Sequence, residues 1–363
     1  MAAPTVILLR HRADLAAIAP AWEELAAHAL EPNPFYEPWI LLPALRARGE
    51  ENFECVTVWQ DATLIGLFPF ERRPRFRRLP VATLTSWRHS AYLLCTPLVR
   101  NDAAVPALRA LLRWAVDEAS VLELLYLPAN GLFDDALRME AGALVRTAHF
   151  SRPLLVKASS ADAYMEEALS SQLRRQLRRN ERRLAARGAA RVAIAPGGSL
   201  GDEIERFLRL EVGGWKGRQG GALAADPANQ RFGREVLAEA HRRGRLHIVG
   251  MDCDGAPIAR RLSLLAGAGA YAFKTAYDED YAAYSPGVLA EALSLREFHG
   301  LPGVRWMDSY TDPDNTTVNR MWKDRRAMQS VAVGVGAWGA FWLSVYSSLR
   351  GKAQKAEPVR PAA

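Results

Sequence analysis

Residues suited to group transfer gather between Tyr271 and Tyr310. Gly269–Ala276, within the stretch that runs on to Tyr277, reads as a strand, Ser285–Phe298 as a helix and Val304–Tyr310 as a further strand. Ser285 suits the N-cap, because its hydroxyl can accept a backbone N–H. Pro286 suits the first helical position, where its missing N–H costs nothing. Gly287 lets another group come close to the backbone. A helix that begins this way presents free N–H groups and the positive end of its dipole, and it can hold a phosphate. The same residues would equally begin a plain, well-capped helix. A strand–helix–strand crossover collects ligands at the carboxyl ends of its strands. Lys274, Thr275, Asp308, Ser309 and Tyr310 stand there. The layout suits a cofactor whose pyrophosphate rests on the helix and whose thioester reaches between the strands.

Two more segments carry candidate chemistry. Trp215-Lys216 borders the glycine-rich stretch 213–221, and glycine-rich loops are often functional; a helix end capped by Gly213 and Gly214 is the plainer reading. Over Ser170–Arg187, seven arginines (Arg174, Arg175, Arg178, Arg179, Arg182, Arg183 and Arg187) face a single acid, Glu181. A run of one sign repels itself and usually has a partner. An anionic glycan or nucleotide-linked acceptor, an anionic membrane surface or tRNA would each serve.

The elements that position these residues follow from composition and patterning. The chain has 363 residues, 49% hydrophobic and 24% charged, enough for two ordinary domains and far from the composition of a disordered chain. The net charge of +7 points to a polyanionic partner. Three cysteines, Cys55, Cys95 and Cys253, stand far apart, which argues against a disulfide framework or a zinc site. Residues 1–9 lack a basic stretch followed by a long apolar run, so the expectation is a cytoplasmic protein. Residues 331–349 carry no charge and approach the length of a membrane span. Their Val/Gly alternation, however, predicts a strand. After it, Trp338, Phe341, Trp342, Val345, Tyr346 and Leu349 predict a helix packed by its apolar face. In the first half, hairpin strands flank Asp61, a helix covers Asp102–Ser120 and a buried strand covers Val121–Leu127. The second half repeats this order around Asp254, a weak internal duplication.

The segment after Tyr277 resembles the pyrophosphate loop of the GNAT acyltransferases, which lies between their fourth strand and third helix and usually reads Arg/Gln-x-x-Gly-x-Gly/Ala. Here Tyr281-x-x-Tyr-Ser-Pro-Gly287 stands in that place. It departs from the glycine motif and is similar to the form in the CelD/BcsL-type acetyltransferases associated with cellulose and exopolysaccharide biosynthesis. Trp215-Lys216, Lys274, Tyr277, Asp308, Trp322-Lys323, Trp22-Glu-Glu-Leu25 and Pro34-Phe35 fit the same family, and the resemblance covers most of residues 20–330. Fem-type aminoacyltransferases share the tandem architecture but use aminoacyl-tRNA.

The resemblance implies an α/β (α+β) fold of tandem GNAT-like domains, each a mixed, mostly antiparallel sheet flanked by helices. Residues 1–152 would form a degenerate copy, residues 153–350 the donor-binding domain and residues 351–363 a disordered tail. It implies acetyl-CoA or another acyl-CoA as co-substrate and no metal. Lys274, Tyr284, Ser285, Pro286, Gly287, Val288 and Leu289 would hold the donor. Asp308 would act as base or acceptor-positioning group and Tyr310 as acid, against a structural reading in which Asp308 pairs with Lys274 or an arginine and Tyr310 simply packs. Trp215, Lys216, Arg178 and Arg179 would meet a small-molecule or glycan acceptor. The implied activity is acyl transfer to an amine or hydroxyl of a saccharide or nucleotide sugar. The alternatives are a Fem-like transferase using aminoacyl-tRNA and a non-enzymatic module that binds anionic surfaces.

Overall fold

Asp61 and Asp254 both adopt left-handed backbone conformations, φ 53° and 51°, at the tips of two β-hairpins. Asp tolerates that region better than most residues. The computed structural model describes residues 3–356. Its strands are β1 (Thr5–Leu9), β2 (Phe53–Gln60), β3 (Thr63–Arg73), β4 (Thr83–Ser86), β5 (Leu98–Val99), β6 (Val121–Pro128), β7 (Ala143–Val156), β8 (Ala190–Ile194), β9 (Leu246–Cys253), β10 (Ala256–Ala266), β11 (Gly269–Tyr277), β12 (Trp306–Asp308) and β13 (Asp324–Gly334). The described chain forms two compact units: residues 3–38, 50–150 and 327–356 make the first, and residues 39–49 and 151–326 the second.

In the first unit the strand order is β1-β2-β3-β4-β6-β13, with β5 on β3. The pairs are antiparallel except β4 and β6, which run parallel. Between those two strands lies the helix Ala104–Glu118, whose Ala104, Ala107, Leu108, Leu111 and Ala115 are buried. That stripe recurs at helical spacing and packs with Val56, Phe68, Leu122 and Val331.

The second unit uses the same plan. Its order is β7-β12-β11-β10-β9-β8, with β7 contributing its last residues. The β9–β10 hairpin leads into β11, which runs parallel to β12 across the helix Pro286–Gly300. Leu289, Ala292, Leu295 and Phe298 of this crossover helix pack with Leu155, Tyr164, Leu173, Leu177, Ala259 and Trp322. Each unit is thus a mostly antiparallel sheet with one parallel pair bridged by a helix.

Several local expectations are altered. The second half opens on the end of the long β7, and a helix over Leu132–Glu140 precedes that strand. Residues 331–334 do close a strand, and the helix Gly336–Ala356 follows. Only part of its apolar arc is covered: Leu343 is buried and Trp342 and Tyr346 are partly buried beside Phe76 and Val81. Trp338, Phe341 and Leu349 remain exposed, contrary to the packed face expected for them. The helix also takes in residues 351–356, expected to belong to the tail; residues 357–363 lie outside the described residues. Among the described residues, no helix is long and apolar enough to cross a membrane.

One buried group in β9 makes stability pH-dependent. His247 is buried and its Nδ1 has no hydrogen-bond partner among the described residues, and burial lowers its pKa to about 4. Between about pH 6.5 and 4 the unfolded chain binds a proton that the folded one refuses, so stability falls as pH falls. The loss approaches about 3 kcal/mol below pH 4. Urea titrations at pH 7 and 5 should show this fall, and His247→Gln should flatten it.

Candidate active site

Strands β11 and β12 pair over only three residues, Gly269 with Trp306, Ala270 with Met307 and Tyr271 with Asp308. Strand β12 then ends, while β11 continues to Tyr277. Beyond Tyr271 the edge of β11 that faced β12 has no strand partner among the described residues, which opens a gap at the carboxyl ends of a parallel pair. A bulge marks the spot. Leu262 pairs with Lys274 and Leu264 with Tyr271, so Ala272 and Phe273 together oppose Ser263. Bulges re-aim the side chains that follow them. Here Thr275 Oγ1 accepts from Arg261 Nη1 at 3.3 Å, while Lys274 Nζ lies 3.9 Å from Glu211 on the helix Glu203–Gly213.

Lys216 fills part of this edge. Its Nζ donates to the Thr275 carbonyl oxygen at 2.6 Å. In a strand the N–H and C=O of one residue point to the same side, so the Thr275 N–H shares that edge. Lys216 sits on the short helix Trp215–Arg218, which Glu279 anchors by accepting from the Trp215 N–H at 2.6 Å and from Arg218 Nη2 at 2.7 Å. Gly217 allows the close turn, since a Cβ there would lie 1.9 Å from the Val212 carbonyl oxygen. The Lys216 ammonium is largely withdrawn from water. Burial lowers its pKa to about 8; Glu211 opposes that shift, and Lys274 and Arg261 add to it. Trp215 itself is exposed.

A polar cluster backs the edge from the crossover-helix side. Arg261 is 4% exposed and forms an ion pair with Glu291, which also accepts from Trp322 Nε1 at 2.8 Å. Burial lowers the Arg261 pKa and raises that of Glu291, and their mutual attraction opposes both shifts. Nε and Nη2 of Arg261 have no hydrogen-bond partner among the described residues. These groups escaped notice in the sequence. The legible signal was a pair of charges, Arg260 and Arg261, inside a largely apolar strand pattern, and another, Glu291, inside the crossover helix.

Asp308 occupies a different setting from the one expected of a base. It is fully buried, with Arg152 Nε at 2.6 Å from Oδ1 and Arg326 Nη1 at 2.8 Å from Oδ2. The Tyr310 N–H donates to Oδ1 at 2.8 Å. Burial alone would raise its pKa, but the two guanidiniums outweigh burial and hold the carboxylate below the usual range. A carboxylate so occupied is a weak proton acceptor, and this geometry favours the structural reading of Asp308. Lys274, weighed as its partner, pairs with Glu211 instead. The Tyr310 ring packs against Tyr271 and Phe273, with centroids 6.1 and 6.4 Å away, and under Arg152.

The start of the crossover helix also differs from expectation. Ser285 is the N-cap residue, but it is left-handed at φ 54° and its side chain caps nothing. Its carbonyl accepts from the N–H groups of Val288 at 3.0 Å and Leu289 at 3.1 Å, and Pro286 has no N–H. The Gly287 N–H is thus the one amide of Ser285–Leu289 with no bond to a described residue. The preceding residues Glu279–Tyr284 form a 3-10 helix rather than an open loop. A Cβ on Gly287 would meet the Tyr277 ring at 3.0 Å.

Cations, not amides, dominate the surroundings of this terminus. The arginine helix Ser171–Ala185 buries Leu173, Leu177, Asn180 and Leu184, and Asn180 Nδ2 donates to the Tyr284 carbonyl at 3.0 Å. Arg183 stacks 4.6 Å above the Tyr284 ring, and Arg187 donates to its hydroxyl at 3.0 Å, which lowers the Tyr284 pKa. Arg175, Arg178, Arg179, Arg182 and Arg183 line an open groove on the outer face.

No curated protein matches the chain. Among solved structures, the crystal structure of FemX aligns over 90% of this chain and 98% of its own, at 10% identity and a TM-score of 0.58. The L-PGS structure from Bacillus licheniformis aligns over 92% and 96%, at 12% identity and a TM-score of 0.54. The C-terminal domain (DUF2156) of a putative lysylphosphatidylglycerol synthetase from Agrobacterium fabrum aligns over 92% and 96%, at 11% identity and a TM-score of 0.53. At these identities the likeness is one of fold. Residues 171–316, which hold the arginine helix, Lys216, β11 and the crossover helix, match the family described as an acetyltransferase (GNAT) domain.

Proposed function

We propose that the chain transfers an acyl group, acetyl foremost, from acyl-CoA to an amine or hydroxyl of a saccharide or nucleotide-sugar acceptor, in the building of polysaccharide or envelope. The observation that carries this reading is the unpaired edge of β11 at Thr275, with the Lys216 amine beside it. The thioester carbonyl lies along that edge, where a backbone N–H can polarise it. The acceptor heteroatom bonds to the carbonyl carbon, the C–S bond breaks and CoA leaves as its thiolate. Neutral Lys216 takes the proton from the acceptor, and its lowered pKa suits that task near neutral pH. Arg183, Arg187 and the Gly287 N–H meet the donor phosphates, and the groove of Arg178 and Arg179 meets the anionic part of the acceptor.

Calorimetric titration with acetyl-CoA tests this. Saturable binding is expected, weakened roughly tenfold or more by Arg183→Ala with Arg187→Ala, since hydrogen bonds to charged groups contribute about 1.5–3 kcal/mol each. Gly287→Glu should prevent binding, because a carboxylate would stand at the free amide and its Cβ would press on Tyr277. A folded wild type that does not bind would sink the CoA reading.

One observation favours a second reading. The crossover helix offers a single free amide, while the adjoining groove exposes five guanidiniums, more than a CoA pyrophosphate uses. Such a surface suits an aminoacyl-tRNA donor. Protein that retains RNA at low salt and releases it steeply as salt rises would bring this reading forward.

A further inference from the structure

We propose that the C-terminal helix, through Trp338, Phe341 and Leu349, docks the protein on an anionic lipid surface. At helical spacing, Trp338, Phe341, Val345 and Leu349 fall at i, i+3, i+7 and i+11, one continuous stripe. The neighbouring stripe, with Trp342, Leu343 and Tyr346, is the one that packs inward. The outer stripe is left to water: Trp338 is 62% exposed, Phe341 52% and Leu349 54%. Trp338 and Phe341 stack at 5.5 Å and both meet Trp342, at 5.6 and 5.5 Å, so three aromatic rings form one platform. Val116, also exposed, adjoins the start of the helix at Gly336.

The chemistry of the surroundings selects the occupant. A second protein surface would be expected to meet apolar residues on a helix of mixed charge. Here the chain from Arg325 to Ala356 contains no Asp or Glu, while Arg350, Lys352 and Lys355 lie in the same helix. Arg109 and Arg113 line the groove beside Val116, Gly336 and Ala340, together with Glu140, which pairs with Arg109. Tryptophan and phenylalanine on a helix whose own charges are all cations are the composition of a helix lying in a bilayer interface, where rings enter the headgroup level and basic groups meet anionic lipid. The helix does not have the continuous apolarity of a span, so it would lie on the surface rather than cross it.

The test is sedimentation of the full chain with vesicles of phosphatidylcholine alone or mixed with phosphatidylglycerol, alongside tryptophan emission. Wild type should sediment with the mixed vesicles, blue-shift its emission and bind pure phosphatidylcholine far less. Trp338→Ser with Phe341→Ser, both on the solvent side, should lower the partition coefficient about tenfold or more and leave the circular dichroism spectrum unchanged. Equal binding by the double variant, or no binding of wild type to mixed vesicles, would overturn the proposal. So would a wild-type dimer that the double variant abolishes, which would make a second copy the occupant.

Discussion

Lys216→Met is expected to lower kcat/KM about 10²–10⁴-fold, the usual contribution of a positioned acid or base, with acetyl-CoA affinity nearly unchanged. The expectation rests on the proposed transfer reaction and on three features of one amine. Its Nζ lies on the unpaired edge of β11, 2.6 Å from the Thr275 carbonyl oxygen. It is mostly desolvated, and it shares its surroundings with Lys274 and Arg261, which disfavour its charged form. Only the neutral amine can accept a proton. Wild-type kcat/KM should therefore climb with pH, about tenfold per unit well below pH 8, and level off above it. In Lys216→Met that limb should vanish. Lys216→Arg keeps a charge and a donor but cannot deprotonate, so it should preserve folding and donor binding while losing both rate and limb. A Lys216→Arg enzyme with wild-type rate and pH profile would show that the residue only braces the strand edge. Glu211→Gln gives an independent check: Glu211 opposes the lowered pKa, so its removal should move the limb to lower pH.

Asp308→Ala should destabilise the protein by about 3–5 kcal/mol, the cost of breaking a buried ion pair by removing one partner. Arg152 is 0% exposed, and without Asp308 its guanidinium stays buried beside an aromatic ring with its carboxylate gone. Arg326 and the Tyr310 N–H lose their acceptor as well. Domains are typically stable by about 5–15 kcal/mol, so much of the total is at stake. Urea unfolding at pH 7 measures it. Because the folded carboxylate is held below the usual range, its contribution is present at all pH values above that range and is lost only in strong acid. If Asp308 were a base and little else, stability would stay within about 0.5 kcal/mol of wild type while turnover collapsed.

The sequence by itself determined the local elements of the second unit. A hairpin at Asp254, a strand ending at Tyr277, a helix from Pro286 and a strand reaching Asp308 are written in local signals: turn residues, apolar periodicity and a proline at the first helical position. The arginine helix was legible for the same reason, since its charge and its leucine stripe lie within one short segment. What only the tertiary structure decided is which charges meet. Arg152, Arg326 and Asp308 are far apart in the chain, and nothing local says that three of them share one buried site. Hence a carboxylate that the chain pattern offers as a base is held by two arginines, and a lysine in a glycine-rich loop reaches the strand edge instead. The conformation of Ser285 was likewise hidden. A serine before a proline reads as a cap, but the short helix Glu279–Tyr284 feeds it into the left-handed region, and its hydroxyl caps nothing. The exposed face of the C-terminal helix follows the same logic. Periodicity shows that a helix has an apolar arc, and only packing decides how much of that arc the rest of the chain is there to cover.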